Sequence, residues 1–218
     1  MGKKAIEIKD LRFQYRSGNF SLQLPAFIVE EFEKVAIIGP SGTGKTTLLN
    51  LLAGCTLPDN GSVRIQGTDM VEMTDRARRK FRICNIGMIF QEFELLDHLN
   101  ILDNILLPYR ITPHLVNGSS VRERAIFLAK EVGLKDKIKR NVRQLSQGER
   151  QRVAVCRSLL PEPSLLLCDE PTGNLDPANS KHVMDIMFKY AEDHGGTLVS
   201  VTHDHNTASR FDRTVEFS

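Results

Sequence analysis

The chain has 218 residues, of which 41% are hydrophobic and 26% are charged, a composition typical of a globular protein with one sizeable core. The formal net charge of +2 gives no general sign of nucleic acid or acidic lipid as a partner, and no apolar stretch approaches the ~20 residues that cross a bilayer. The four cysteines show neither paired spacing nor a disulfide framework, so each is predicted to be a small core residue in a reducing cytosol.

The N-terminal segment alternates apolar and polar residues, from Ile6 to Tyr15 and again from Phe20 to Leu24. This period of two predicts a small antiparallel sheet whose strands are joined by a turn at 16–19. A further short strand is predicted over 61–65, after a turn signal. The chain is therefore expected to open with an antiparallel β-subdomain.

An apolar run at 35–38 precedes a glycine-rich loop, which leads into an apolar, helix-like segment. Between a strand and a helix, a G-x-x-x-x-G-K-[ST] match predicts that backbone N–H groups and a helix dipole bind the phosphates of a nucleoside triphosphate. Lys45 is expected to reach the outer phosphates, and the Thr46 hydroxyl to complete a Mg²⁺ shell. The predicted phosphate-binding residues are Gly39, Pro40, Ser41, Gly42, Thr43, Gly44, Lys45, Thr46 and Thr47.

The character of the chain changes after a predicted strand at 86–90, which ends at Gln91. From about residue 92 to residue 145, helical periodicity appears at 101–107 and 121–132, interrupted by prolines and an Asn117–Gly118 turn. This pattern predicts a helical insertion within the core.

Two helices and two strands are then predicted, at 148–160, 165–168, 179–193 and 197–201. Strands that alternate with helices imply a parallel sheet with right-handed crossovers. The expected fold is α/β with a mainly parallel sheet, in which ligands sit at the carboxyl ends of the strands.

Polar residues follow three of the predicted strands, where such a ligand would lie. Adjacent strand residues point to opposite faces, so Asp169 is expected to hold Mg²⁺ through water while Glu170 polarises an attacking water. His203 would hydrogen-bond the γ-phosphate or orient the water, and the Gln91 amide would touch both metal and water. Alone, an acidic pair before a proline or a histidine after a strand is typical of an ordinary turn; the prediction depends on their order after the phosphate loop.

The segment 145–152, Leu-Ser-Gln-Gly-Glu-Arg-Gln-Arg, lies between Gln91 and the acidic strand end. With the phosphate loop, this order resembles the nucleotide-binding subunits of ABC transporters over essentially the whole chain. The segment is similar to the signature motif of that family, and Asn174–Asp176 to its D-loop. His203 resembles the switch histidine, and Tyr15 stands where family members place an adenine-stacking aromatic.

The resemblance implies one domain over 1–218, with a P-loop NTPase (RecA-like) core at 1–91 and 146–218 and a helical subdomain at about 92–145. It also implies ATP and Mg²⁺ as cofactors, and a head-to-tail dimer that closes on two ATP molecules. Each ATP would be capped by the second copy's signature motif and D-loop. The residues implied for that cap are Ser146, Gln147, Gly148, Glu149 and Asp176.

This signature segment departs from the family pattern at two positions. Gln147 replaces a glycine, and Glu149 replaces a glutamine. Ser146 and Gly148 are kept, and at a helix start they can offer a hydroxyl and N–H groups to a γ-phosphate. A carboxylate at position 149 would repel a phosphate unless Arg150 or Arg152 compensates.

The resemblance also implies a transmembrane permease as partner, docked in a groove beside Gln91. The segment 95–108 is similar to the branch that serves lipoprotein release, macrolide export and cell division. The expected location is cytoplasmic, peripheral on the inner face of the membrane through the permease. The expected groove residues are Phe93, Leu95, Leu96 and Leu99.

Other functions compete with that of an ATPase that powers a permease. A signalling subunit that relays its ATP cycle through a membrane partner without moving cargo would use the same residues. A soluble ABC ATPase of translation or DNA repair would need tandem domains or a coiled coil, and a phosphotransferase would not need the signature segment. Nucleic acid is not expected, because the charge of the whole chain is nearly balanced. The basic run favours a solvated helix face, with contact to an anionic leaflet as a middle possibility. The run comprises Arg76, Arg78, Arg79, Lys80 and Arg82.

Overall fold

The computed structural model describes residues 2–16, 20–116, 118–173 and 175–217. In chain order the strands are β1 (Lys4–Gln14), β2 (Ser21–Glu30), β3 (Lys34–Ile38), β4 (Asn60–Ile65), β5 (Thr68–Asp69), β6 (Ile86–Ile89), β7 (Leu165–Asp169), β8 (Thr197–Val201) and β9 (Arg213–Glu216). The helices are α1 (Lys45–Leu52), α2 (Asp75–Asn85), α3 (Ile101–Ile105), α4 (Leu107–Ile111), α5 (Ser119–Glu131), α6 (Gln147–Leu159), α7 (Pro177–His194) and α8 (His205–Ala208), with 3₁₀ turns at Lys135–Lys137 and Val142–Gln144. Residues Ser17, Gly18, Asn19 and Asn117 of the predicted turns, and Asn174 of the predicted D-loop, lie outside the described residues.

The two sheets confirm the predicted α/β fold. Strands β2, β1, β4 and β5 form an antiparallel sheet in that order, and strands β6, β7, β8, β3 and β9 form a sheet whose neighbours all pair in parallel. Strand β2 continues to Glu30, well beyond the predicted end at Leu24, and passes through Pro25. A proline is tolerated there because β2 is the edge of its sheet.

Alternate residues of the parallel strands face two different cores. In β3, Val35 and Ile37 pack with α1 and the antiparallel sheet, whereas Ala36 and Ile38 pack with α6 and α7. Because both faces are covered, the central strands consist of continuous apolar runs. The loops at the carboxyl ends of β3 and β7 therefore follow strands that are largely buried in the interior of the sheet.

The segment predicted as one helix over 101–107 is two short helices. Asn100 caps α3 by accepting a hydrogen bond from Asp103 N at 2.8 Å, and α3 ends at Ile105. Pro108 then lies in the first turn of α4. A proline ring blocks continuation of a preceding helix but fits the first turn of a new one, and this explains the break.

Two predictions about side-chain exposure are wrong in part. Cys156 and Cys168 are buried, and burial raises the pKa of the Cys156 thiol to about 12, but Cys55 is exposed in a turn after α1. In the basic helix α2, Arg78 is buried. Arg82 donates from Nη1 to Ala53 O at 3.1 Å and Gly54 O at 3.3 Å, satisfying carbonyls left free at the end of α1. Within the described ranges, no helix is long and apolar enough to cross a membrane.

Candidate functional site

A cavity of about 400 Å³ lies at the carboxyl ends of β3 and β7. The structure brings ten of the predicted site residues into its wall, among them Tyr15, Lys45, Thr46, Gln91, Asp169 and Glu170. Ser41, Gly42, Gly44 and Thr47 of the loop line it as well. Residues more than 150 positions apart in sequence therefore meet in one space.

The Lys45 ammonium is hydrogen-bonded to backbone carbonyls of the glycine-rich loop. Lys45 is buried, and its Nζ donates to Gly39 O at 2.9 Å and Pro40 O at 2.6 Å. A Cβ on Gly39 would stand 2.1 Å from Phe217 O, so no side chain fits at that position. Gly39, Pro40 and Thr43 thus shape the loop from outside the cavity wall, while α1 begins at Lys45.

Asp169 and Glu170 share the cavity, contrary to the prediction that they face opposite sides of a strand. Asp169 is the last residue of β7, and Glu170 lies beyond it with a left-handed φ of 44°. That turn of the backbone brings both carboxylates to the same wall. Burial raises the pKa of Asp169, and the nearby Glu170 adds to this, while a hydrogen bond with Thr46 and the charge of Lys45 act in the opposite direction.

His203 stands beside Glu170 rather than in the cavity wall. Its Nδ1 lies 3.2 Å from Glu170 Oε2, and its side chain is exposed. The Glu170 backbone N–H donates to Val201 O at 3.0 Å, which ties the end of β7 to the end of β8. The histidine can therefore orient the glutamate or accept a hydrogen bond from a molecule bound next to it.

Gln91 stands just before a strained turn. Phe93 and Glu94 have positive φ angles of 63° and 49°, which side chains seldom adopt. Arg157 of α6 holds this turn, because its Nη2 donates to Phe93 O at 2.7 Å and its Nη1 to Glu94 O at 2.5 Å. Nothing in the sequence pattern identified Arg157 as a neighbour of Gln91.

The aromatic side of the cavity has one predicted and one unpredicted member. Tyr15 is half-exposed, packs edge-on against Phe13 and shares a hydrogen bond of 3.2 Å between its Oη and Thr47 Oγ1. Phe20 also lines the cavity, and its ring lies close above Gly44, where a Cβ would come within 2.5 Å. The alternating pattern placed Phe20 only in a strand, so its role at the loop was missed, as was that of Val201.

The signature segment begins α6 with a reciprocal cap. Ser146 Oγ accepts a hydrogen bond from Glu149 N at 3.3 Å, and Ser146 N donates to Glu149 Oε2 at 2.9 Å. Ser146 and Gln147 are exposed, whereas Gly148 is buried. None of these residues lines the cavity of its own chain.

The cation that compensates Glu149 is Lys137, not Arg150 or Arg152. Lys137 Nζ pairs with Glu149 Oε1, and chiefly for this reason the pKa of Glu149 lies below its ordinary value. Arg150 instead donates to backbone carbonyls at Val142 and Arg143, and Arg152 to Asn179. The side-chain directions around α6, which the sequence does not specify, decide this pairing.

Replacing Lys137 by methionine is expected to lower the melting temperature by about 2–4 °C at neutral pH, on the order of 1 kcal/mol. A carboxylate with a depressed native pKa contributes stability above its unfolded pKa and loses it as the pH falls through the native value. The difference from the wild type should therefore shrink in acid as Glu149 protonates. Thermal unfolding from pH 8 to pH 3 measures this, with Lys135→Met as an exposed control from the same turn. A deficit that is independent of pH would contradict the ion pair.

Asp176 caps the helix α7. It accepts hydrogen bonds from Ala178 N and Asn179 N, both at 3.1 Å, and lies exposed at the surface near the start of α6. It does not line the cavity of its own chain.

A second, larger groove of about 700 Å³ lies behind Gln91, between α2, α4 and α6. The predicted groove residues Phe93, Leu95, Leu96 and Leu99 do not line it. Leu95 instead packs against the hydrophobic core formed by α3, α5 and α6. The apolar lining comes from Ile83, Met88, Phe90, Leu107, Pro108 and Ile111, with Arg76 and Lys80 among the charged residues of the wall.

Comparison with known proteins gives a consistent result. The family model described as "ABC transporter" matches residues 22–173. A macrolide export ATP-binding/permease protein MacB of Rhodopirellula baltica is 41% identical over 216 residues, which cover 96% of this chain but only 31% of that protein. A lipoprotein-releasing system ATP-binding protein LolD of Treponema denticola is 41% identical over 85% of this chain and 81% of its own. Among solved structures, a dimeric post-hydrolysis state of the ATP-binding cassette MJ0796 bound to ADP and Pi is similar with a TM-score of 0.88 and 32% identity, covering 98% of this chain and 94% of that one.

Proposed function

This chain belongs to the ABC transporter family, and from that premise we propose that it hydrolyses ATP to power a separate membrane permease of the lipoprotein-release or macrolide-export type. The observation that carries the proposal is the single cavity that gathers Lys45, Thr46, Asp169, Glu170 and Gln91. Binding of ATP or ADP is general in the family.

The phosphate loop is suited to bind the triphosphate tail. The Lys45 ammonium donates to two carbonyl oxygens of the loop. A negatively charged phosphate oxygen would be a stronger acceptor, so the ammonium is expected to bind the phosphate when a nucleotide is present. The start of α1 adds backbone N–H groups and a dipole end. Tyr15, fixed to Thr47 through its hydroxyl, offers an aromatic face for the adenine.

The acidic wall fits a magnesium ion. Asp169 is a half-buried carboxylate whose pKa is raised by burial, so a cation beside it would relieve the cost of its charge. Thr46 and Gln91 supply the further oxygen ligands that Mg²⁺ prefers. In the described part of the chain no three His, Cys, Asp or Glu side chains form a cluster that could hold a metal ion by themselves, and Mg²⁺ commonly binds through one or two carboxylates plus substrate phosphates. The ion would neutralise charge on the phosphates, while this chain's own residues orient the water.

Glu170 is the residue we assign as general base for that water. Its carboxylate lines the cavity, and the His203 contact at 3.2 Å fixes its direction. Proton transfer to such a positioned carboxylate is worth about 10²–10⁴-fold in rate. Gln91 lies across the same cavity and can hold the water by its amide.

A second copy of the chain would complete the site. Ser146 and Gln147 are exposed and do not line the cavity of their own chain. The Ser146 hydroxyl and the Gln147 side-chain amide can therefore donate to a phosphate bound by another copy. Two copies arranged head to tail would place each α6 start on the partner's ATP. The similarity to the dimeric cassette MJ0796 supports this arrangement.

The large groove is the surface we assign to the permease. Its lining is apolar on the side of α4 and carries arginine and lysine on the side of α2. The groove shares the segment that follows β6 with the nucleotide cavity, since Phe90 lines the groove and Gln91 lines the cavity. A helix docked there would hold this chain at the cytoplasmic face of the membrane.

Replacing Ile111 by aspartate is expected to cut recovery of the membrane partner at least about tenfold, because it puts a charge into an apolar contact. Tagged chain would be recovered from detergent-solubilised native membranes and its partner identified by mass spectrometry. Val116→Asp is the matched control, since Val116 is more exposed, at 85% against 65%, and lies outside the groove.

The supporting result is loss, in Ile111→Asp alone, of a multi-span subunit that raises the ATP turnover of the wild-type chain. Basal turnover of the purified variant should stay unchanged, because Ile111 is not in the nucleotide cavity. Undiminished recovery by Ile111→Asp would contradict the assignment of the groove. A partner without a substrate cavity would favour signalling over transport.

A further inference from the structure

The N-terminal turns of α6 and α7 meet side by side at Gly148 and Asn179. A Cβ on Gly148 would stand 3.0 Å from Asn179 Cγ and 3.1 Å from its Oδ1, so the glycine allows the amide to lie directly on α6. Gly148 is buried by this neighbour although it belongs to an otherwise exposed helix start. The contact joins the signature segment to the helix that Asp176 caps.

The Asn179 side chain bridges two charged groups. Its Oδ1 accepts from Arg152 Nη1 at 2.5 Å, and its Nδ2 donates to Asp176 Oδ2 at 2.5 Å. A guanidinium can only donate and a carboxylate can only accept, so the orientation of the amide is fixed by its partners. Both bonds involve an ionised group and belong to the stronger class of hydrogen bonds.

Arg152 depends on this bridge. Its Nε is buried and finds no acceptor in the ranges that the structure describes. The bond to Asn179 therefore accounts for the direction of the guanidinium. The bond links the first turn of α7 to the second turn of α6.

Among the described residues, the Asp176 carboxylate accepts three hydrogen bonds. Its Oδ1 accepts from Ala178 N and Asn179 N, and its Oδ2 takes the Asn179 amide. The Asn179 side chain is the largest cause that keeps the pKa of this carboxyl below its ordinary value. The carboxylate is thus ionised and pointed in one direction despite its exposure.

We infer that Asn179 is a positioning residue that joins Asp176 and the start of α6 into one rigid surface, presented as a unit to ATP on the second copy. This inference rests on the proposed dimer. If the signature segment and the Asp176 turn were mobile, binding would cost conformational entropy for each of them. A bond that already fixes the two together lowers this cost. Asn179 itself does not line the cavity of its own chain, so it acts through its neighbours and not on the nucleotide.

The test compares Asn179→Ala with Asn100→Ala, both in a Glu170→Gln parent. Asn100 is a matched control, because its Nδ2 also donates to a carboxylate, Asp103 Oδ2 at 2.7 Å, and its Oδ1 caps a helix in another layer. Sedimentation velocity with ATP and Mg²⁺ gives the dimer dissociation constant. Equilibrium dialysis of dilute protein with ATP gives the affinity of the monomer.

Asn179→Ala is expected to weaken dimerisation about tenfold, the scale of one lost charge-assisted hydrogen bond, and to leave monomer ATP affinity unchanged. Asn179→Asp preserves size and the Arg152 contact but opposes Asp176 with a second negative charge, so it should weaken dimerisation further. Asn100→Ala should leave the dimer constant unchanged.

Equal dimer constants for Asn179→Ala, Asn179→Asp and the parent would overturn the inference and leave the proposed dimer intact. Equal weakening by Asn100→Ala would also overturn it, because the effect would then follow general stability. A Glu170→Gln parent that stays monomeric with ATP and Mg²⁺ would contradict the proposed dimer, and the inference would fall with it.

Discussion

ATP turnover is expected to fall by at least about a hundredfold when Glu170 is replaced by glutamine, while ATP remains bound. Glutamine preserves the size of the side chain in the cavity wall but cannot take a proton from the attacking water. The nucleotide would then stay intact between two copies and hold them together. Phosphate release measures the first effect, and size-exclusion chromatography with ATP and Mg²⁺ measures the second.

The matched control is Glu162→Gln. Glu162 has a left-handed backbone like that of Glu170, with φ of 56° against 44°, but lies outside the cavity, where it pairs with Arg124. The Glu162→Gln variant should hydrolyse ATP at the wild-type rate. Continued turnover by Glu170→Gln, or a variant that remains monomeric with ATP and Mg²⁺, would count against the assigned roles. Chelation of Mg²⁺ should stop turnover in the wild type.

Replacing Lys45 by alanine is expected to reduce ATP affinity by about thirty- to a hundredfold, corresponding to about 2–3 kcal/mol for a charge-assisted contact with phosphate. The ammonium is buried in the loop, where its Nζ lies 2.6 and 2.9 Å from two carbonyl oxygens. After truncation to alanine, no other side chain among the described residues occupies this position to supply the positive charge. Titration with a fluorescent ATP analogue measures the loss.

Lys34→Ala serves as the control for this loss. Lys34 begins the strand that leads into the loop, and it pairs with Glu192 and Asp212 at the opposite end of the sheet. Its removal should leave ATP affinity unchanged. Melting temperatures would show whether either variant is unfolded. Wild-type affinity in a folded Lys45→Ala protein would show that this lysine does not bind phosphate.

The features that follow from local pattern were predictable. Continuous apolar runs identified the buried parallel strands, and the glycine-rich loop was identified by its position between β3 and α1. The polar ends of strands identified Gln91, Asp169 and Glu170, because parallel strands bring their carboxyl ends to one edge. The family resemblance added Tyr15, a residue that spacing alone does not connect to a nucleotide.

The features that depend on side-chain direction were not predictable. The carboxylate of Glu149 pairs with Lys137 across a turn, although two arginines lie nearer in sequence. The left-handed φ of Glu170 lets the side chains of Asp169 and Glu170 line the same cavity, whereas a continued strand would point them to opposite faces of the sheet. The hydrogen bond between Asn179 and Arg152 joins residues 27 positions apart, and no periodicity in the sequence indicates it.

The junction of Phe90 and Gln91 lies between the large groove and the nucleotide cavity. One side chain borders the groove and the next borders the ATP cavity, so a single peptide unit connects the two compartments. That unit is planar and spans about 3.8 Å between Cα atoms, so relative motion of the two residues is confined to the φ and ψ angles that flank it. If the proposed permease helix docks in the groove, its contact with Phe90 would be separated from the nucleotide cavity by one peptide unit, and the coupling between the two spaces would be local instead of running through the core.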